Sequence, residues 1–153
     1  MMKFKLPVWC SGIFAGLLLS VSFGVAAKDS IYTGYFNNVA LSGYDTVAYF
    51  KENKPVKGDK KYATEYKGAQ WHFKSPENRT LFINEPTKYA PQYGGYCAYA
   101  AARNKASKGD PLAWTIHNDK LYINYDLSIR KSWLKDIDAE IVAGDANWPG
   151  PLN

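Results

Sequence analysis

Apolar and polar residues alternate with a period of two along "YATEYKGAQWHFK". Tyr62, Thr64 and Tyr66 share one face of the first arm, and Trp71 and Phe73 share one face of the second. Such alternation marks strands with one side on a core, and Lys67-Gly68 between the arms predicts the turn of a hairpin. By the same parity His72 and Lys74 point to the other side. "AWTIHNDKLYINY" predicts a second hairpin. With Asn118-Asp119 as a two-residue turn, Ile116 stands opposite Leu121 and Trp114 opposite Ile123 on one apolar face, and His117 stands opposite Lys120 on the polar face.

The remaining segments read differently. "TVAYF", Thr46 to Phe50, is a short apolar run and predicts a strand, followed by the polar loop "ENKPVKGDKK". "SPENRTLF" predicts a helix: Ser75 suits the N-cap, Pro76 the first helical position and Glu77 the positive helix end, while Pro86 stops it. "TKYAPQYGG" is a turn-rich connection, "YCAYAAA" a short helix starting after Gly94-Gly95, and "RNKASKGDP" a basic loop. Ile129, Trp133, Ile137 and Ile141 recur every four residues with Leu134 beside them, which predicts one amphipathic helix ending near Gly144. Residues 28–43 read as an irregular lead-in. No βαβ rhythm is present, so the expectation is an α+β fold: a small antiparallel sheet of hairpins with short helices and a C-terminal amphipathic helix.

The N-terminal pattern belongs to a different category. Lys3 and Lys5 precede an apolar run from about Val8 to Val25, and "VAAKD" supplies small residues at Val25 and Ala27. These are the parts of a secretory signal peptide cut after Ala27, with a retained signal-anchor as the competing reading. Cys10 lies too early for a lipid-anchor site, and no twin arginine is present. Residues 1–27 are therefore expected to be removed, leaving residues 28–153 as a single domain in the periplasm or secreted medium, with no transmembrane anchor. Removing 27 of the 153 residues leaves 126. The lost segment takes two of the 19 basic residues and none of the 14 acids, so the balance is +3. That mild charge, with no run of like charges, gives no footprint for nucleic acid. The expected partners are a small molecule, a metal or an envelope protein.

Cleavage also removes Cys10, so Cys97 becomes a lone thiol in an oxidising compartment, a candidate for reactivity, metal binding or intermolecular pairing. If a helix starts just after Gly95, its unpaired N–H groups and dipole favour the thiolate. Gly94 and Gly95 would let the backbone turn sharply and a ligand come close. The competing reading is a buried cysteine serving as a small hydrophobe. His72 and the weaker candidate His117 do not complete a spaced metal motif with Cys97. Asp45 is a candidate base or, like many acids beside turns, a cap for backbone groups. Tyr89, Tyr93, Tyr96 and Tyr99 read as core and rim packing, with Tyr96 and Tyr99 placed to flank a ligand at Cys97. No phosphate loop, dinucleotide fingerprint or nucleophile elbow occurs.

"GYDTVAYF", "YKGAQWHFKSPENRTLFINEPTKYAPQYGGYCAYA" and the "AWTIHNDKLYINY" hairpin together resemble the YHS domain family, most closely its exported single-domain branch. The Tyr-His-Ser signature falls on Trp71, His72 and Ser75. Metal-handling members carry cysteines where this chain has Ala48, Lys74 and Asn78, and a lysine ammonium opposes a bound cation. The resemblance therefore does not carry that metal site over, although copper or zinc held by Cys97 and His72 is the candidate cofactor. Some relatives in the exported branch carry selenocysteine at the position of Cys97, which implies chemistry there. The leading expectation is an exported domain using Cys97 for thiol redox chemistry or for a soft metal or small ligand. The alternative is a non-catalytic envelope binding module with Cys97 as inert core. A third reading gives Asp45 and His72 acid–base roles in hydrolysis.

Overall fold

The computed structural model describes residues 28–34 and 36–153. The expected signal segment and Cys10 lie outside the described residues. Both hairpins form in the predicted register. β1 (Asp59–Tyr66) pairs antiparallel with β2 (Ala69–Phe73), Thr64 facing Trp71 and Tyr66 facing Ala69. The turn residues Lys67 and Gly68 have φ of 49° and 75°, the left-handed geometry that a two-residue hairpin turn requires. β3 (Asp110–His117) pairs with β4 (Lys120–Asn124), with Ile116 opposite Leu121 and Trp114 opposite Ile123. The hairpins do not join into one sheet. They are separate two-stranded sheets, so the single small sheet expected above is corrected, while the α+β class stands.

"TVAYF" is helical, not a strand. α1 spans Thr46–Glu52 because Asp45 precedes it as an N-cap, its carboxylate accepting from the N–H groups of Val47 and Ala48. Asn53 then closes the helix in the left-handed conformation. α2 (Pro76–Asn84) starts as predicted, with the Ser75 hydroxyl accepting from the Asn78 N–H at 3.2 Å. A further single turn, α3 (Pro86–Tyr89), lies within the expected turn-rich stretch. The alanine-rich helix is also one turn, α4 (Ala98–Ala101). The C-terminal helix is two: α5 (Leu127–Trp133) and α6 (Ile137–Asn147), separated by a 3₁₀ turn and a non-helical Asp136. Asp136 leaves the helical conformation there, with φ −147° and ψ 60°, and aspartate competes with helical backbone in a helix interior. The stripe survives the break, since Trp133, Ile137 and Ile141 still pack in one cluster.

Three core clusters follow from these elements. Val47, Trp71, Phe73, Phe82 and Tyr89 pack between the first hairpin, α1 and α2. Tyr93, Ala98, Ala101, Tyr122 and Trp133 pack on one face of β4. Leu121 and Ile123, on its other face, meet Leu41 and Tyr49 and so link the second hairpin to α1. Residues 28–34 form an extended strap across these parts. Ile31 enters the first cluster, the Tyr32 N–H donates to the Gly94 carbonyl at 2.9 Å, and the Lys28 N–H donates to the Leu152 carbonyl at 2.8 Å. A Cβ on Gly94 would lie 1.9 Å from the Ser30 carbonyl oxygen, and its φ is +63°, so only glycine fits beneath the strap.

Candidate functional site

Cys97 is where the second hairpin, α4 and the loop 103–109 meet. It caps α4 and does not lie in its first turn. Its N–H donates to the Ser107 carbonyl at 3.0 Å, and it forms a parallel bridge with Ile123 of β4. Its thiol donates to Asn124 Oδ1 at 3.7 Å, and the residue is only 1% exposed. Burial pushes the thiol above its ordinary range, outweighing the backbone N–H groups of Ala100, Tyr125 and Tyr99, which favour the thiolate. The activation expected from a helix start is thus reversed in sign. Asn124 Oδ1 also accepts from the Tyr99 N–H at 3.1 Å, while Asn124 Nδ2 is buried with no partner among the described residues.

His72 belongs to a different neighbourhood. It lies half-buried on β2, against Gly43 on one side, and burial, helped by Lys60, pulls its imidazole below the ordinary range. No described contact joins it to Cys97, which is tied to the second hairpin. Among the described residues, no group of three or more His, Cys, Asp and Glu side chains is arranged to hold a metal ion. His117 meets the Asp138 carboxylate at 2.9 Å, linking the second hairpin to α6.

Asp45 is a fully buried staple, not a ligand-facing acid. One oxygen takes the N–H groups of Val47 and Ala48 at 2.9 and 3.2 Å. The other takes the Lys74 N–H at 2.9 Å and Asn78 Nδ2 at 2.7 Å. Four donors and no acceptor face it, the arrangement that suits a carboxylate. The Lys74 ammonium turns away to pair with Glu52, whose carboxyl it holds below the usual range.

Gly94 and Gly95 do permit a close approach, and at Gly94 what approaches is the strap. Tyr99 lies under the Arg103 guanidinium, 3.3 Å from ring centroid to carbon, and packs into the second cluster without lining a ligand space. Tyr96 does line one. Its hydroxyl donates to the Asp29 carbonyl at 2.9 Å, and its ring lies 5.3 Å from that of Tyr32. Together with Lys28, Asp29, Ser107, Lys108 and Tyr125, these residues border a cleft of about 570 Å³. Ser107 and Tyr125 also touch Cys97, so the cleft lies one residue layer outside the thiol. Sequence reasoning missed Lys28, Tyr32, Lys108 and Tyr125. The isolated Ile31 in the polar lead-in "KDSIYTG" was the available signal that this stretch is pinned to the core.

A family model of the YHS domain matches residues 47–93. The chain carries a YHS domain. The match covers under a third of the sequence, running from α1 to the turn before Gly94, and leaves Cys97, the second hairpin and the whole lining of the cleft outside it. No curated protein and no solved structure matches the chain. Ala48, Lys74 and Asn78 of the matched segment all donate to the Asp45 carboxylate. Among the described residues no helix is long and apolar enough to cross a membrane.

Proposed function

We propose that this YHS-domain protein is an exported, non-catalytic binding module of the cell envelope or its surroundings, with Cys97 as packed core and the cleft beside Tyr96 as its ligand surface. The observation that carries the reading is the contrast at this one corner of the fold. The thiol is 1% exposed and shifted away from its reactive form, while the tyrosines and lysines around it open onto a space of ligand size. The signal-like pattern of residues 1–27 supports export. An envelope protein or a small molecule is the partner that such a cleft suits.

A second reading keeps thiol chemistry at Cys97, with redox exchange or a soft metal such as copper or zinc as its purpose. It draws support from the N–H groups of Tyr99, Ala100 and Tyr125 around the sulfur, which would stabilise a thiolate once formed. The rate of Cys97 alkylation in the folded protein as a function of pH, with and without chelator, separates the two. The binding-module reading expects labelling only at the rate of unfolding. Rapid labelling near neutral pH, or protection that chelator removes, would transfer the assignment to the thiol.

A further inference from the structure

We infer that the strap, residues 28–34, and the C-terminal segment, residues 148–153, form one latch that lifts from the body as a unit and so gates the cleft beside Tyr96. The two segments stand at opposite ends of the described chain and meet at Tyr96, which is itself buried. Its ring is held between that of Tyr32 on the strap, at 5.3 Å, and that of Trp148 on the C-terminal segment, at 5.6 Å. Its hydroxyl donates to the Asp29 carbonyl at 2.9 Å. A backbone bond then joins the segments directly, from the Lys28 N–H to the Leu152 carbonyl at 2.8 Å. Neither segment can leave without breaking that bond and stripping one face of the Tyr96 ring. Elements that share their contacts in this way open cooperatively.

The strap is also a partition. On one side lies the cleft of about 570 Å³, on the other a groove of about 430 Å³ that Trp148 helps to border, and Ile31 borders both. A wall with space on each flank has few atoms packed against it, and such segments occupy the low end of the local stability range. Its anchors are discrete: the Ile31 side chain in the first core cluster and the Tyr32 N–H on the Gly94 carbonyl at 2.9 Å. Lifting the latch would merge the two spaces. A ligand that touches the strap in the cleft would therefore be felt at the C-terminal turn, and the coupling acts equally in the other direction. Cys97 is seated against Ser107, Ile123 and Asn124, none of them in the latch, so its alkylation bears on the binding-module reading alone.

Native-state hydrogen exchange of the folded protein at low urea tests the latch. The Tyr32 amide reports the strap, and the Trp148 and Leu152 amides, bonded to the Gly144 and Pro149 carbonyls, report the C-terminal segment. The Val47 amide, held by Asp45, reports global unfolding. The first three are expected to share one opening free energy and one urea slope, both below those of Val47. Ile31→Ala withdraws the strap's anchor and should speed exchange at Trp148 and Leu152 as much as at Tyr32, by about tenfold or more. The Arg79 amide, in the first turn of α2, should not change. Leu152→Ala should speed Tyr32 in return. Tyr96→Phe keeps the stacked ring and removes only the bond to Asp29, so it poses the same question if Ile31→Ala does not fold. It should speed all three amides by roughly two- to tenfold. Acceleration at Tyr32 with Trp148 and Leu152 unchanged would show two ends that open independently and overturn the inference. Exchange at Tyr32 with the free energy and slope of Val47 would overturn it too, since the strap would then leave only when the whole domain unfolds.

Discussion

Two buried polar side chains, Asp45 beside the first hairpin and Asn124 in the second, are matched to different degrees. Around the first hairpin, Asp45 is fully buried and every direction it can accept from is filled, by donors on α1, on the residue after β2 and on α2. Around the second, Asn124 is equally buried, yet only its carbonyl is matched, and Nδ2 has no partner among the described residues. An unmatched buried carboxylate costs far more than an unmatched neutral amide. Asp45 is therefore fully matched, although the buried Thr46 hydroxyl beside it has no partner among the described residues. Asn124 is only half matched, and the buried Cys97 thiol is its neighbour.

The comparison is broken most forcefully at Asp45. Asp45→Ala removes a buried acceptor shared by four N–H donors and should cost about 3–5 kcal/mol, read as a shift of the urea midpoint at unchanged slope. A loss under about 1 kcal/mol would mean that the network is not what holds α1 to the first hairpin. Next comes Gly94→Ala, which places a methyl group against the strap backbone in a left-handed conformation. About 2 kcal/mol is expected, with faster hydrogen exchange at the Tyr32 amide as the sign that the strap has lifted.

Cys97→Ala should cost only about 1 kcal/mol, as befits a small packed side chain. It should also change the alkaline behaviour. Burial holds the Cys97 thiol above its ordinary value of 9.0, so the unfolded chain loses that proton first. The contribution is intact below about pH 9 and is lost as pH rises through the folded-state value. The buried Tyr122 hydroxyl, pushed up to about 12, extends the same fall further. Cys97→Ala should remove the earliest part of this decline, and an unaltered profile would place the titration elsewhere. The smallest effect is expected at the His117–Asp138 contact. Asp138 is mostly exposed there, and Asp138→Asn should change the urea midpoint by about 0.5 kcal/mol or less.

What could be read from the chain divides along the same line. The turn-proximal parts of both hairpins were legible, because Lys67-Gly68 and Asn118-Asp119 set turn geometry locally and alternation sets the faces, whereas the register shifts between Asp59 and Ala63 and between Asp110 and Trp114 were not. α1 was not. "TVAYF" carries a strand-like composition, and its helix depends on a cap whose other two donors, at Lys74 and Asn78, come from 29 and 33 residues away. The C-terminal stripe was read correctly as a face and wrongly as one rod, since Asp136 breaks the backbone without interrupting the packing. Cys97 illustrates the limit of arguing from position in a helix: the nearby N–H groups are present, but burial decides the sign. The cleft could not be read at all. It exists only because a polar seven-residue strap is pinned by Ile31 and Gly94, and nothing local in the strap's composition announces where it will lie.

The hydrogen bond from the Lys28 N–H to the Leu152 carbonyl closes the described chain almost into a ring. A ring can be opened elsewhere. A short glycine-serine bridge from residue 153 back to residue 28, with new ends cut at the exposed Lys67-Gly68 turn, should give a circular permutant that keeps every core cluster. Such a protein would carry its fusion points on the turn of the first hairpin.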